Sequence, residues 1–283
     1  MFNLLAHYSF FMDKYTLREM GYDGQDKMSI KQFIVMGLIF IIIILISLLF
    51  KKRKEKLYLV YKILSIVMPI LEIIKISFET HYDFLHGETF NYGGILPFYT
   101  CSMLMYFLPF IAFTKGKMKE YSMAFFTTIG LVAGLSNFVY LSAAGWYPLH
   151  TFGCIHSILY HSAIVFVGMS LMITGIYKPT LKTMLNGMIP VLIFSAFVLP
   201  INYIIKNHTN DTWVDYMLLM DGNGFPIIGD FANLLKEKGI HLVFSLIMLF
   251  ILYPIATILI SLIDIGIIKL VTIGKKEREE NES

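Results

Sequence analysis

Residues 33–50 carry no charged side chain, and neither do residues 240–263. A helix needs about 20 such residues to cross a hydrocarbon layer about 30 Å thick. Within that layer each backbone N–H and C=O must find its partner inside the chain, so only helices or closed barrels can cross, and unbroken apolar runs select helices. Composition agrees, with 57% of the 283 residues apolar and 15% charged, where a soluble domain has about a quarter charged. A soluble enzyme, a disordered chain and a disulfide scaffold are excluded. The net charge is +3, and the basic residues fall in short clusters between apolar runs. No continuous basic face exists for a nucleic acid, so none is expected as a partner.

The pattern predicts an all-α polytopic membrane bundle of about seven transmembrane helices, at residues 32–50, 57–78, 95–113, 121–143, 152–174, 182–205 and 240–263. The first, third and fifth loops hold Lys51, Lys52, Arg53, Lys54, Lys56, Lys115, Lys117, Lys119, Lys178 and Lys182, and the second and fourth hold no Lys or Arg. Cytoplasmic loops carry the basic excess, which puts the N-terminus outside and the C-terminus inside. Residues 1–31 form an extracytoplasmic segment that Asp13, Arg18, Glu19 and Asp23 disqualify as a cleavable signal. They suit a short amphipathic helix. The transmembrane domain covers 32–263. Its long outer loop, 206–239, is rich enough in Trp213, Tyr216, Phe225, Pro226 and Phe231 to fold over the outer mouth. Residues 264–283 form a charged cytoplasmic tail, expected to be disordered from Lys275 onward. No internal repeat of the inverted-transporter kind is evident.

Ionisable groups inside spans are costly and mark functional sites. Helix rise places Glu72 and Cys101 each about 9 Å below the outer surface, His156 at about 6 Å and His161 at about 13 Å. A carboxylate, a thiol and imidazoles from three helices thus reach similar depths, facing an outward cavity if they share one. Lys75, three residues after Glu72, can neutralise it along the helix. Cys101 equally suits the role of a small buried hydrophobe. His156 and His161 stand about 140° apart around a helix and cannot both ligate one metal as a helical pair. Cys101 and Cys154 are the only cysteines, and a disulfide between them stays open. A thiol beside an imidazole suggests a nucleophile with its base, the carboxylate orienting the histidine. At this depth such a site would meet the acyl esters of lipids. No metal or cofactor is expected.

Leu96-Pro97-Phe98-Tyr99-Thr100-Cys101 resembles the LP-x-x-x-C signature of the YwaF-like bacterial membrane proteins, which are related to animal transmembrane protein 164. His150 and His161, near Pro148, resemble that family's Pro-His and following helical His. Asp215-Tyr216-Met217-Leu218-Leu219, with Pro226 and Gly229-Asp230-Phe231, is similar to its NY-x-x-L segment and acidic-aromatic stretch. Glu72 holds the place of its second-helix Glu. Asp215 stands where the family has Asn, and residues 29–32 offer no counterpart to its first-helix His. The resemblance spans residues 57–263. It implies a multi-helix fold in the bacterial cell membrane and acyl transfer between phospholipids, with Cys101 as the acyl-accepting thiol and His161 as its base.

The leading expectation is an acyltransferase or transacylase acting on phospholipid or lysophospholipid. Cys101, His161 and Glu72 would be catalytic, and Tyr99, His150, His156, Lys75, Asn202 and Tyr216 would bind substrate. Amides at Gly93 and Gly94 or the Tyr99 hydroxyl would supply oxyanion donors. The alternative is a small-solute or proton-coupled transporter or receptor using Glu72, Lys75 and His161. A zinc-dependent lipid amidase using the outer histidines is weaker. A retinal protein is disfavoured, since 240–263 holds no Lys for a Schiff base. Oligomeric state stays open.

Overall fold

A computed structural model of the chain describes residues 10–21, 30–139, 148–183, 185–209, 214–222 and 226–281. Regular structure among the described residues is helical. In chain order it comprises α1 Lys14–Glu19, α2 Ile30–Leu49, α3 Lys54–Leu85, α4 Tyr92–Ile95, a 3₁₀ turn Thr100–Ser102 that leads into α5 Met103–Phe113, α6 Lys117–Phe126 and α7 Ile129–Val139. Then follow α8 Phe152–Ile173, α9 Met188–His208, a 3₁₀ turn Tyr216–Leu218, α10 Pro226–Glu237, α11 His241–Ile247, a π-turn Met248–Leu252, and α12 Tyr253–Asn281.

Among the described residues six stretches are long and apolar enough to cross a membrane, and Thr100–Phe113 is a shorter apolar helix beside them. The expected multi-pass bundle of about seven helices therefore stands. The burial pattern fits a lipid solvent. Ile34, Leu38, Ile41, Leu45 and Leu49 of α2 are exposed, and exposed apolar side chains on this scale need lipid around them. Polar side chains turn inward instead. Ser47, Ser65, Thr128 and Thr174 are buried, and their hydroxyls donate to carbonyls of their own preceding helical turn. That satisfies each hydroxyl without a partner helix. Seventy-two per cent of the most apolar window of α8 is buried, against 17% for α2, so α8 is the central helix and α2 a peripheral one. α8 packs along α2 and α7, while α3 packs along α5.

Side-chain contacts sort the loops onto two ends. Lys119 lies 4.2 Å from the centre of the Tyr58 ring, and the Phe50 ring meets that of Phe166. The first and third loops thus share an end with the C-terminal half of α8. At the opposite end Phe10 and Phe11 pack on Phe152, Phe11 packs on Phe78, and the Phe10 carbonyl accepts from the Phe152 N–H at 2.6 Å. Lys14 Nζ sits 2.6 Å from Asp83 Oδ1, and the Tyr15 hydroxyl donates to the same oxygen. The expected N-terminal helix is α1, capped by Asp13, whose carboxylate accepts from the Tyr15 and Thr16 N–H groups.

Several boundaries differ from the sequence expectation. α3 continues past 78 to Leu85. The third span does not begin at 95. Pro97 drives Leu96 into an extended conformation, which ends α4 at Ile95, and helix resumes only at Thr100. The fourth span breaks at Thr127 and Thr128, whose hydroxyls bond back to carbonyls of residues 123–125. The break fits its neighbours, because a Cβ on Gly168 would overlap the Phe126 carbonyl oxygen and one on Gly187 would lie 2.7 Å from Thr128 Oγ1. α9 starts at Met188 rather than 182. The π-turn Met248–Leu252 precedes Pro254, which cannot donate to the carbonyl four residues earlier. The tail expected to be disordered stays helical to Asn281, in keeping with its run of Lys, Glu and Arg, all good helix formers.

Candidate active site

Cys101 sits in the 3₁₀ turn that opens the short helix, at the positive end of its dipole. No disulfide joins Cys101 and Cys154. Cys101 is partly exposed and Cys154 fully buried. The Cys101 sulfur receives a hydrogen bond from Ser102 and lies within electrostatic reach of Glu72 and Lys75.

The segment before the thiol is clamped by residues from the sixth loop. Tyr216 is fully buried, its ring 5.4 Å from Phe98 and 5.2 Å from Tyr99, and its hydroxyl donates to the Tyr92 carbonyl. Thr100 Oγ1 approaches the Met217 sulfur at 3.7 Å. Asn202 holds the loop through a reciprocal pair, its Nδ2 donating to the Tyr216 carbonyl at 2.9 Å and its Oδ1 accepting the Tyr216 N–H at 3.0 Å. Asp215 accepts from the N–H groups of Met220, Asp221 and Gly222. Met217 and Leu218 have φ of 62° and 53°. Non-glycine residues hold such angles only where the surroundings over-determine them, and here the Tyr253 hydroxyl also fixes the Met217 carbonyl. Asn202 and Tyr216 therefore act on the LP-x-x-x-C segment from behind. Trp213 and Phe225 lie outside the described residues.

Glu72 is buried. Its Oε1 lies 3.2 Å from Lys75 Nζ, and its Oε2 lies 3.2 Å from His156 Nε2. The expected intrahelical pair is present, and Lys75 also donates to the Gly94 carbonyl at 3.3 Å. One turn along α8 from His156 is Tyr160, with the two rings 5.6 Å apart. The Tyr160 hydroxyl is buried, meets the Met105 backbone and lies within electrostatic reach of Glu72 and Cys101. Thus the 156/160 face of α8 looks toward α3 and α5.

His161 lies about 140° around α8 from His156 and turns toward α7, with Glu72, Lys75 and His156 still within electrostatic reach. Its Nδ1 lies 2.8 Å from the Ser157 carbonyl oxygen and its Nε2 2.7 Å from Asn137 Nδ2 on α7. A carbonyl can only accept, so Nδ1 carries the proton. Nε2 of the neutral ring is then the acceptor, and the Asn137 amide donates to it. The sequence reading has Glu72 orienting His161. Both Glu72 oxygens instead face Lys75 and His156, and both nitrogens of His161 face Ser157 and Asn137. Helix rotation decides this. Gly134, one turn before Asn137, lets α7 approach closely, since a Cβ there would sit 2.8 Å from Val165 Cγ2 and 3.3 Å from the His161 carbonyl oxygen.

His150 is exposed, two residues before the Phe152 on which Phe10 and Phe11 pack, and away from these bonds. The Gly94 N–H donates to Asn91 Oδ1 at 2.8 Å, which takes it out of the oxyanion role expected for it. Among the described residues no group of three or more His, Cys, Asp or Glu is arranged to hold a metal. Asn137, Ser102 and Tyr160 escaped the sequence reading. An Asn in an otherwise apolar span was the available signal for the first of them.

The family model described as the TMEM164 family matches residues 27–270. The relation to transmembrane protein 164 implied by the motifs is borne out over a range that takes in every element from α2 to the middle of α12. No curated protein and no solved structure matches the chain.

Proposed function

This chain belongs to the TMEM164 family, and from that premise we propose that it is an acyltransferase of the bacterial cell membrane, moving a fatty acyl chain between phospholipid-type substrates through a thioester on Cys101. The observation that carries the reading is the thiol itself. It is free and partly accessible, it opens a helix, and charged groups stand within reach, whereas Cys154 is buried. Reactive cysteines are accessible and need an adjacent base, and inert ones lie buried in apolar surroundings.

In this reading Nε2 of His161 takes the Cys101 proton, leaving the electron pair on sulfur. The thiolate attacks the acyl carbonyl carbon of a phospholipid, and the tetrahedral adduct collapses by breaking the ester C–O bond. The lysophospholipid oxygen leaves with the proton from Nε2. A second lysolipid hydroxyl reverses the sequence and receives the acyl group. The buried Tyr160 hydroxyl, within electrostatic reach of Cys101, is a donor for the oxyanion, and Lys75 and His156 with Glu72 form the polar wall toward the headgroups.

The test uses purified protein in lipid nanodiscs with a clickable-acyl phospholipid. Wild type and Cys154→Ala acquire a hydroxylamine-labile label, and Cys101→Ala acquires none while keeping its thermal unfolding midpoint. Full acyl transfer by Cys101→Ala sinks the proposal. The buried Glu72, Lys75 and His156 cluster also suits a solute or proton site. That second reading predicts flux into proteoliposomes that falls with Glu72→Gln and ignores Cys101→Ala.

A further inference from the structure

The polar contacts of His161 leave one atom unaccounted for. Asn137 Nδ2 donates to His161 Nε2 at 2.7 Å, yet Asn137 Oδ1 is buried and has no hydrogen-bond partner among the described residues. A buried amide oxygen without a donor costs about 1–3 kcal/mol, and an atom kept at that cost asks for a role in the working of the site. The identity of that role follows from His161. Its Nδ1–H is fixed on the Ser157 carbonyl, so Nε2 is the only nitrogen that can gain a proton. Once it does, Nε2 becomes a donor and repels the Asn137 NH₂ group. A half-turn of the amide about its Cβ–Cγ bond then brings Oδ1, an acceptor, onto Nε2–H.

We propose that Asn137 is the positioning residue of His161, holding the neutral ring with Nε2 as its single basic nitrogen and reversing its amide to accept from Nε2–H when the ring carries the thiol proton. This rests on His161 serving as the base for Cys101. The amide stabilises both protonation states in turn, and it releases Nε2 only as the proton arrives. α7 carries no ionisable side chain along 129–139, so the amide is the group through which that helix acts on the ring. The charged and titratable groups within electrostatic reach of His161 are Glu72 and Lys75 on α3 and His156 on its own helix. The 3₁₀ turn bearing Cys101 packs against α7, which brings the thiol to the helix that carries Asn137.

The experiment reads the ring directly by ¹⁵N NMR of histidine-labelled protein in nanodiscs, with His161→Gln identifying its signals. Near neutral pH the wild type shows a protonated Nδ1 and a hydrogen-bonded, unprotonated Nε2. In Asn137→Leu, similar in volume but unable to donate, the Nε2 signal moves to the position of an unbonded imidazole nitrogen. Single-turnover acylation of Cys101 falls about tenfold to a hundredfold, as loss of catalytic positioning does, with KM unchanged. In Asn137→Asp a carboxylate faces Nε2 and favours the imidazolium, so both nitrogens are protonated at that pH and the acid limb of the rate profile moves upward. An Nε2–H tautomer in the wild type overturns the proposal, as does an Nε2 signal that Asn137→Leu leaves in place. Because the NMR result needs no turnover, loss of the acyl-transfer reading through an active Cys101→Ala variant is a separate outcome.

Discussion

At the residue scale the balance around Glu72 is the most exposed to test. The i, i+3 spacing of Glu72 and Lys75 is legible in the sequence because a helix alone brings them together. The third partner, His156, comes from α8 and no spacing announces it. Removing one member of a buried pair leaves an uncompensated charge, a loss of about 3–5 kcal/mol in a fully buried site, and less here because the Lys75 side chain is 20% exposed. Glu72→Gln therefore lowers the thermal unfolding midpoint, and adding Lys75→Met to it recovers part of the loss. Strict additivity of the two substitutions would refute the coupling. Asp215 allows a second test. Its two oxygens together accept three backbone N–H groups, whereas an amide has one acceptor oxygen. Asp215→Asn leaves at least one buried donor short and lowers stability by about 1–3 kcal/mol, measurable as a drop in thermal midpoint.

Between elements, glycines set how closely the helices pack. Gly168 meets the Phe126 carbonyl and Gly134 meets Val165, whereas nothing stands within 4 Å of a Cβ at Gly37 on the lipid-facing α2. Overpacking a tight contact costs about 1–3 kcal/mol, and Ala in place of Gly in an unhindered helix gains up to about 1 kcal/mol. Gly168→Ala thus unfolds at lower temperature than wild type and Gly37→Ala does not. Equal midpoints for the two variants would show that the α6–α8 contact yields freely. Gly134→Ala has a second consequence, since lifting α7 from α8 stretches the Asn137–His161 bond and weakens acylation of Cys101 in the single-turnover assay. The short α5 is a matter of this scale too. Pro97 explains in sequence terms why helix cannot run through residue 96, but the resumption at Thr100 comes where Tyr216 packs on Phe98 and Tyr99 and Met217 meets Thr100.

For the whole molecule the loops fall on two ends, with the basic ones sharing an end through the Lys119–Tyr58 contact and the N-terminal segment closing the other through Phe10, Phe11, Lys14 and Tyr15. The bias in Lys and Arg predicts that the basic end faces the cytoplasm. In a background lacking Cys101 and Cys154, a cysteine placed at Lys52 reacts with a membrane-impermeant maleimide only after permeabilisation, and one placed at Gly87 reacts in intact cells. Labelling of Lys52→Cys in intact cells would invert the topology. Membrane residence, the approximate number of spans and the distribution of basic loops could be read directly from the chain, because hydropathy and charge accumulate along it and need no knowledge of neighbours. The tertiary structure decided which carboxylate meets which imidazole, where the third helix resumes, and that Asn137 reaches His161. Each of these depends on the rotation of one helix against another and on a separation fixed by single glycines, and a linear pattern of apolar residues leaves both free.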